Sequence, residues 1–343
     1  MKLIHHCVVA VLAASAFALP AGAFAQDANK LVIGMPTSPP NVVHMPVFVA
    51  QQLELYKQCG ADVSTVALDG GVKVYRAMLS GNVDVAMAPA SLTAVGVSKG
   101  AQVKGILGTL DKFEASMVVR ADVKTMADLK GKRIGIQQPG GFADILSRSV
   151  LRAAHIDPKD VNFVTIATED VPALVANQVD TAILHVEQEM LAKEKVPDLH
   201  AVARMWELQP KTMYNLFDVT DTKLKGKSKA LACFVKGMMQ ATRIMYTDKA
   251  KVMAIIVKQT GYSEKVVSQA YDFLVKNCIW DANSGLSPER INFTAKLMEK
   301  VGNVEKGKVP TYDQIVDTQF ARAALKELGP YQGPVCSSPV VVH

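Results

Sequence analysis

Two nine-residue stretches of this chain match at a constant spacing. Met78-Leu79-Ser80-Gly81-Asn82-Val83-Asp84-Val85-Ala86 aligns with Leu174-Val175-Ala176-Asn177-Gln178-Val179-Asp180-Thr181-Ala182, an offset of 96 residues. In each copy a helical pattern stops at Gly or Asn, the residues that accept the left-handed conformation closing a helix. Val-Asp then opens an apolar strand. The flanks repeat as well. Leu31–Met35, Val63–Leu68 and Val83–Ala88 read as strands, with helical spacing over Met45–Lys57 and Val72–Leu79. Further on, Arg133–Ile136, Val161–Ile166 and Asp180–Leu184 read as strands around helices at Phe142–Ala154 and Val171–Ala176. Strand and helix in alternation imply a mostly parallel sheet covered by helices. The fold class is therefore α/β, with two similar lobes in one chain.

From about Lys225 the pattern becomes purely helical. Ser228–Tyr246, Lys249–Lys258, Ser263–Val275, Ser287–Val301 and Gln319–Leu328 carry it. Helices gathered after two α/β lobes must cover an existing sheet, so the chain is expected to return to the first lobe. Trp206 and Trp280 are read as packing anchors, and the 15 methionines as core.

Met1–Ala25 reads as a secretory signal. Lys2 gives the positive start, Val8–Leu19 the apolar core, and Ala23-Phe24-Ala25 the small-x-small cleavage pattern. The mature chain would begin at Gln26. No later stretch reaches the roughly 20 apolar residues of a membrane helix. Four cysteines then remain, Cys59, Cys233, Cys278 and Cys336. In an oxidising compartment they suggest two disulfides, with three possible connectivities. No pair has CxxC spacing and no His lies close in sequence, so no metal site is expected. The net charge of +6 is spread without a basic run, which argues against nucleic acid as partner.

In open α/β sheets ligands bind beyond the carboxyl ends of the strands. Six loops qualify. In the first lobe they are Pro36–His44, with Thr37, Ser38 and His44; Asp69-Gly70-Gly71; and Ala88–Ser91, with Ala90 and Ser91. In the second they are Gln137–Phe142, with Gln137, Gly140, Gly141 and Phe142; Thr168-Glu169-Asp170; and His185-Val186-Glu187. The glycine pairs open helices, where free N–H groups accept an anion or a carbonyl oxygen. They do not complete a dinucleotide fingerprint. Phe142 offers a ring for stacking, and Gln137, Ser38 and Ser91 offer neutral hydrogen bonds. His44 reads as a cleft residue or a helix cap. His185 and Glu187 read as ligand contacts or as a solvated first helical turn. Neither histidine has a nucleophile or metal motif beside it, so no catalytic residue and no cofactor are assigned.

His44-Met45-Pro46-Val47-Phe48-Val49-Ala50, Leu55-Tyr56-Lys57 and Gly60-Ala61-Asp62-Val63 resemble the opening of periplasmic substrate-binding proteins of the sulfonate/nitrate/taurine and thiamine-pyrimidine-precursor type. Leu79–Ala86 and Asp128-Leu129-Lys130-Gly131-Lys132-Arg133-Ile134-Gly135 extend the similarity, which runs over about Leu31–Glu187. The resemblance implies a type II periplasmic-binding-protein fold, with lobe one over 26–117 and 213–343 and lobe two over 118–212. It implies hinges near Val118–Ala121 and Leu208–Tyr214. It also implies a monomeric, soluble periplasmic protein that closes on a small organic molecule and delivers it to an ABC permease. Within that fold all four cysteines belong to lobe one, and the expected pairs are Cys233–Cys278 and Cys59–Cys336. A receptor for a TRAP-type transporter, or a ligand-sensing subunit, is the alternative. The related pyrimidine-making enzyme carries a cysteine cluster that this chain lacks. Many relatives have a Gly-Ser pair where this chain has Gly140-Gly141, and the cleft loops contain no Arg. A dianion, which favours bidentate Arg, is therefore not the expected ligand. A small ring with donors and acceptors is.

Overall fold

The computed structural model describes residues 28–110, 112–166, 170–333 and Cys336. The signal peptide expected over Met1–Ala25 lies outside these residues, and so does Glu169. Ten strands are described: β1 (Lys30–Met35), β2 (Asp62–Ala67), β3 (Val85–Pro89), β4 (Val103–Leu107), β5 (Ser116–Val119), β6 (Arg133–Ile136), β7 (Asn162–Thr165), β8 (Thr181–Leu184), β9 (His200–Arg204) and β10 (Asn215–Thr220). They form two five-stranded sheets, ordered β2-β1-β3-β10-β4 and β7-β6-β8-β5-β9. Each sheet has four strands running the same way and one antiparallel strand, β10 in the first sheet, which enters after the second crossing, and β5 in the second, which follows the first crossing. The central strands β3 and β8 are apolar without alternation because helices cover both faces. The edge strand β2 is mostly exposed.

The repeated motif has the same physical job in each lobe. Gly81 (φ 82°) and Asn177 (φ 59°) turn the chain out of helices α3 (Gly71–Leu79) and α6 (Asp170–Val175). Asp84 Oδ2 then accepts the Val32 N–H of β1 at 2.9 Å, and Asp180 Oδ2 accepts the Arg133 N–H of β6 at 2.8 Å. Asp84 is also gripped by Lys223 and Lys227, and Asp180 by the Arg133 guanidinium. The motif valines need glycine opposite them. A Cβ on Gly34 would stand 3.3 Å from Val83 and 2.7 Å from Val74, and one on Gly135 2.6 Å from Ile166 and 3.4 Å from Val179.

The helix expected over Met45–Lys57 breaks into α1 (Met45–Gln52) and α2 (Leu55–Gln58), because Glu54 takes φ 55°. Helix α4 (Ala90–Ser98) follows β3. Lobe two adds α5 (Phe142–Ala153), α7 (Val186–Lys195) and the short α8 (Met205–Leu208). The tail supplies α9 (Asp221–Gly226), α10 (Ser228–Thr247), α11 (Lys249–Thr260), α12 (Glu264–Lys276), α13 (Pro288–Lys300), α14 (Tyr312–Ile315) and α15 (Gln319–Leu328). As expected, it returns to the first lobe, where α10 packs on α1, α2 and β1. Trp280 is 1% exposed and donates its indole N–H to the Val43 carbonyl at 2.8 Å.

The disulfides differ from expectation. Cys59 bonds to Cys233 and Cys278 to Cys336, rather than Cys233 to Cys278 and Cys59 to Cys336. Cys59 ends α2, which lies against α10 and its Cys233. Cys278 follows α12, and the returning C-terminal segment brings Cys336 beside the Val275 carbonyl of that helix. All four do lie on the lobe-one side, but packing order sets the partners.

The chain crosses between sheets twice, over 108–115 and over 205–214. The first hinge expected at Val118–Ala121 is displaced. Val118 and Val119 are wholly buried and pair with β8 and β9 inside the second sheet. The first crossing is moored to the tail by Gly108 N–H to the Ser284 carbonyl and Asp281 N–H to the Thr109 carbonyl, at 2.8 and 2.9 Å. The second is moored by Met213 N–H to Thr294 Oγ1 at 2.8 Å.

Candidate functional site

The carboxyl ends of both sheets face one interlobe cleft, whose lining leaves about 590 Å³ of space continuous with solvent. Thr37, His44, Gly70 and Gly71 line it from lobe one, and Gln137, Gly141, Phe142 and His185 from lobe two. Other expected residues stand elsewhere. Ser38 faces a neighbouring chamber. Asp69 is exposed and pairs with Lys73 at 2.9 Å. Ala90 and Ser91 are buried behind Pro89, where the Ala90 N–H donates to the Tyr214 carbonyl. Gly140 turns to a groove on the far side of α5, and its N–H donates to Asp144 at 2.8 Å. The Gly141 N–H goes to the Gln138 carbonyl, so neither glycine N–H is the free anion donor that the sequence suggested.

His185 stands in the cleft wall as the N-cap residue of α7, and its burial sets aside the reading of a solvated first helical turn. Its ring lies parallel to Phe142, centroids 5.0 Å apart and planes at 2°, and Tyr214 stacks on Phe142 at 5.1 Å. Its Nδ1 hydrogen-bonds to Glu114. Burial opposes the imidazolium charge, but the Glu114 carboxylate, aided by Glu187 and Asp170, lifts the His185 pKa to about 9. His44, 6.0 Å from that ring, is driven down to about 3 by burial and by the His185 charge, and stays neutral. Asp170 is pushed up to about 8 by burial, although His185 and the Gln137 amide, 2.9–3.0 Å from its oxygens, act against the shift.

Glu187 is fully buried and does not face the cleft. Its Oε1 accepts Asn41 Nδ2 at 2.9 Å and the Val42 N–H at 3.2 Å, so a lobe-two carboxylate is bound to the lobe-one loop. Burial raises its pKa, against the pull of His185. A second tie runs from Gln138 Nε2 to the Asp69 carbonyl at 3.3 Å. The lobes touch directly, and this is a closed arrangement.

Five buried polar atoms of cleft residues have no hydrogen-bond partner: Thr37 Oγ1, Asn41 Oδ1, His44 Nδ1 and both amide atoms of Asn215. Such atoms are costly unless something pairs with them, and all five belong to residues that line one space. No Lys or Arg lines that space. Among the described residues no three His, Cys, Asp or Glu side chains are grouped to hold a metal ion.

Sequence reasoning missed Asn41, Glu114, Asp170, Tyr214 and Asn215. Asn41 and Asp170 lie in loops it had selected, and there only the choice of residue was at fault. Glu114 and Tyr214 belong to the crossings, and Asn215 opens β10 where the second crossing ends. No periodicity marks these positions.

Comparison with known proteins agrees with this geometry. YtlA of Bacillus subtilis, named as a binding protein, is 23% identical over 295 residues, covering 84% of this chain and 88% of that protein. The periplasmic nitrate-binding protein NrtA from Synechocystis PCC 6803 superposes with a TM-score of 0.72 at 12% identity, covering 91% of this chain and 92% of that one. The ligand-binding component of an ABC-type import system from Staphylococcus aureus, solved with zinc bound, gives 0.66 at 13% identity, covering 86% and 99%. The two lobes, mixed sheets and paired crossings are those of the type II periplasmic-binding-protein fold. The NMT1/THI5 like family model matches residues 41–251, more than half of the sequence, and the chain belongs to that family.

Proposed function

We propose that the protein is an extracytoplasmic solute-binding protein, which captures a small organic molecule by lobe closure and delivers it to the permease of an ABC importer. One observation carries this reading. Both lobes and a crossing contribute to a single cleft in which stacked rings stand beside five unpaired, buried polar atoms. A ligand touching both walls stabilises the closed state relative to the open one. The family assignment and the named relatives support a binding role rather than catalysis. The export signal expected at Met1–Ala25, cut before Gln26, supports a periplasmic location, and the protein acts there as a monomer.

The ligand that suits the cleft is a flat, hydrogen-bonding ring without a strong negative charge. His185 is the one cationic side chain on the described walls, and Glu114 already neutralises it. A dianion would lack the bidentate Arg that it favours.

The test is thermal denaturation of Gln26–His343 against ring amides, sulfonates and small dicarboxylates. A ligand at 100 times its dissociation constant adds about 2.7 kcal/mol. A ring compound should raise the midpoint, and Phe142→Ala should abolish the rise. A dicarboxylate or sulfonate binding more tightly than every ring compound would overturn the ligand class. No shift, together with ligand-free protein in native mass spectrometry, would overturn the binding role.

A further inference from the structure

The cleft has a neighbour that the ring reading leaves unused. A second chamber, with about 810 Å³ of space continuous with solvent, opens beyond the loop at 37–41. Thr37, Asn41 and Gln188 line both spaces, so the two share a wall rather than merely lying close. That wall carries two of the unpaired polar atoms, Thr37 Oγ1 and Asn41 Oδ1, and Asn41 is 1% exposed. The far sides are apolar: Pro39 from lobe one, Val171, Pro172 and Leu191 from α6 and α7, and Tyr262 from the turn after α11. Lys195 stands at the rim. It is exposed and, among the described residues, makes no ion pair, whereas its neighbours Lys193 and Glu194 pair with Glu189 and Lys265.

We infer that the solute has two parts. Its ring occupies the cleft among Phe142, His185 and Tyr214, and an unbranched apolar arm passes the Thr37–Asn41 wall into the second chamber, ending in an acid beside Lys195. This rests on the solute-binding reading above. The apolar walls gain from each methylene removed from water. The polar atoms of the shared wall bond to the group where ring and arm join. The rim lysine selects an acid-terminated arm over an amine-terminated one. The acid lies at the solvent edge, so this does not conflict with an inner cleft that disfavours anions. Because the chamber is built from both lobes, the arm also strengthens closure.

The experiment measures dissociation constants calorimetrically for benzamide, nicotinamide and indole, each bare, with a 4-carboxybutyl arm and with a 4-aminobutyl arm. For a ring that binds, the carboxybutyl form should bind at least about tenfold more tightly than the bare ring, and more tightly than the aminobutyl form. Leu191→Trp, which fills the chamber, should erase that gain while leaving bare-ring affinity unchanged, a control for folding and for the inner cleft. Lys195→Glu should reverse the preference between acid and amine. A bare ring that binds as tightly as its armed forms would overturn the inference alone. If no ring binds in any form, the ring-binding reading beneath it falls instead.

Discussion

Glu187 illustrates how a side chain can serve binding without touching the ligand. Its carboxylate is buried and holds two lobe-one donors, Asn41 Nδ2 and the Val42 N–H. Hydrogen bonds to a charged group contribute about 1.5–3 kcal/mol each. Glu187→Ala should therefore shift the ligand-free protein toward an open form and weaken ligand affinity by about 10- to 100-fold. Small-angle scattering would show a larger radius of gyration and calorimetry the weaker binding. An unchanged radius would mean that these bonds do not hold the lobes. The type of residue at this site was legible in the sequence, since His44, Gln137, Phe142 and His185 stand on the cleft walls as expected. Direction was not. Two residues after His185, half a helical turn sends Glu187 away from the cleft and into the interlobe contact, and local spacing does not reveal what waits there.

At the scale of elements, the repeated strand-opening aspartates are the most legible feature. Asp84 takes up a β1 N–H and two lysines, and although burial opposes its charge, those bonds hold its carboxyl below the usual range. Asp84→Ala should lower stability by about 1–3 kcal/mol by leaving the Val32 N–H without its acceptor. Urea denaturation would measure this, and Asp84→Asn, which keeps an acceptor oxygen, should recover part of the loss. The sequence showed the motif because both copies are local, a helix end followed by a strand. It hid β4, β5, β9 and β10 for the opposite reason. Two of these, β5 and β10, each run antiparallel within their sheet and adjoin a crossing between lobes. Their pairing is set by the path of the whole chain. The cysteine partners were hidden likewise, since which helix lies against α2 is decided by tertiary packing.

For the whole molecule, the buried ionisable groups fix how stability depends on pH. His44 is neutral in the folded state and half protonated at pH 6.5 in the unfolded one, so its opposing contribution is small and fades by about pH 7.5. Asp170 and Asp218 keep their protons up to about 8 in the folded state, both through burial, while in the unfolded chain they lose them near 4. His185 stays protonated up to about 9 against 6.5 unfolded. The folded state thus binds more protons than the unfolded one, and stability must fall as pH rises from 6.5 to 9. Thermal midpoints across that range should fall steadily. Asp218→Asn, in the lobe-one core beside Thr93, should make the fall near pH 7 shallower. A midpoint that rises with pH would contradict the assignment.

The bonds joining Asn41 to Glu187 and Gln138 to the Asp69 carbonyl also bear on time. While they hold, the lobes stay together and the path to the rings is narrowed, so entry is fastest when they part. Capture then has a maximum speed set by the opening of the lobes, and beyond a certain solute concentration more solute brings no faster uptake. The same contacts re-form around a molecule already inside and slow its escape. Such a protein gives up speed in plenty in exchange for a long hold in scarcity.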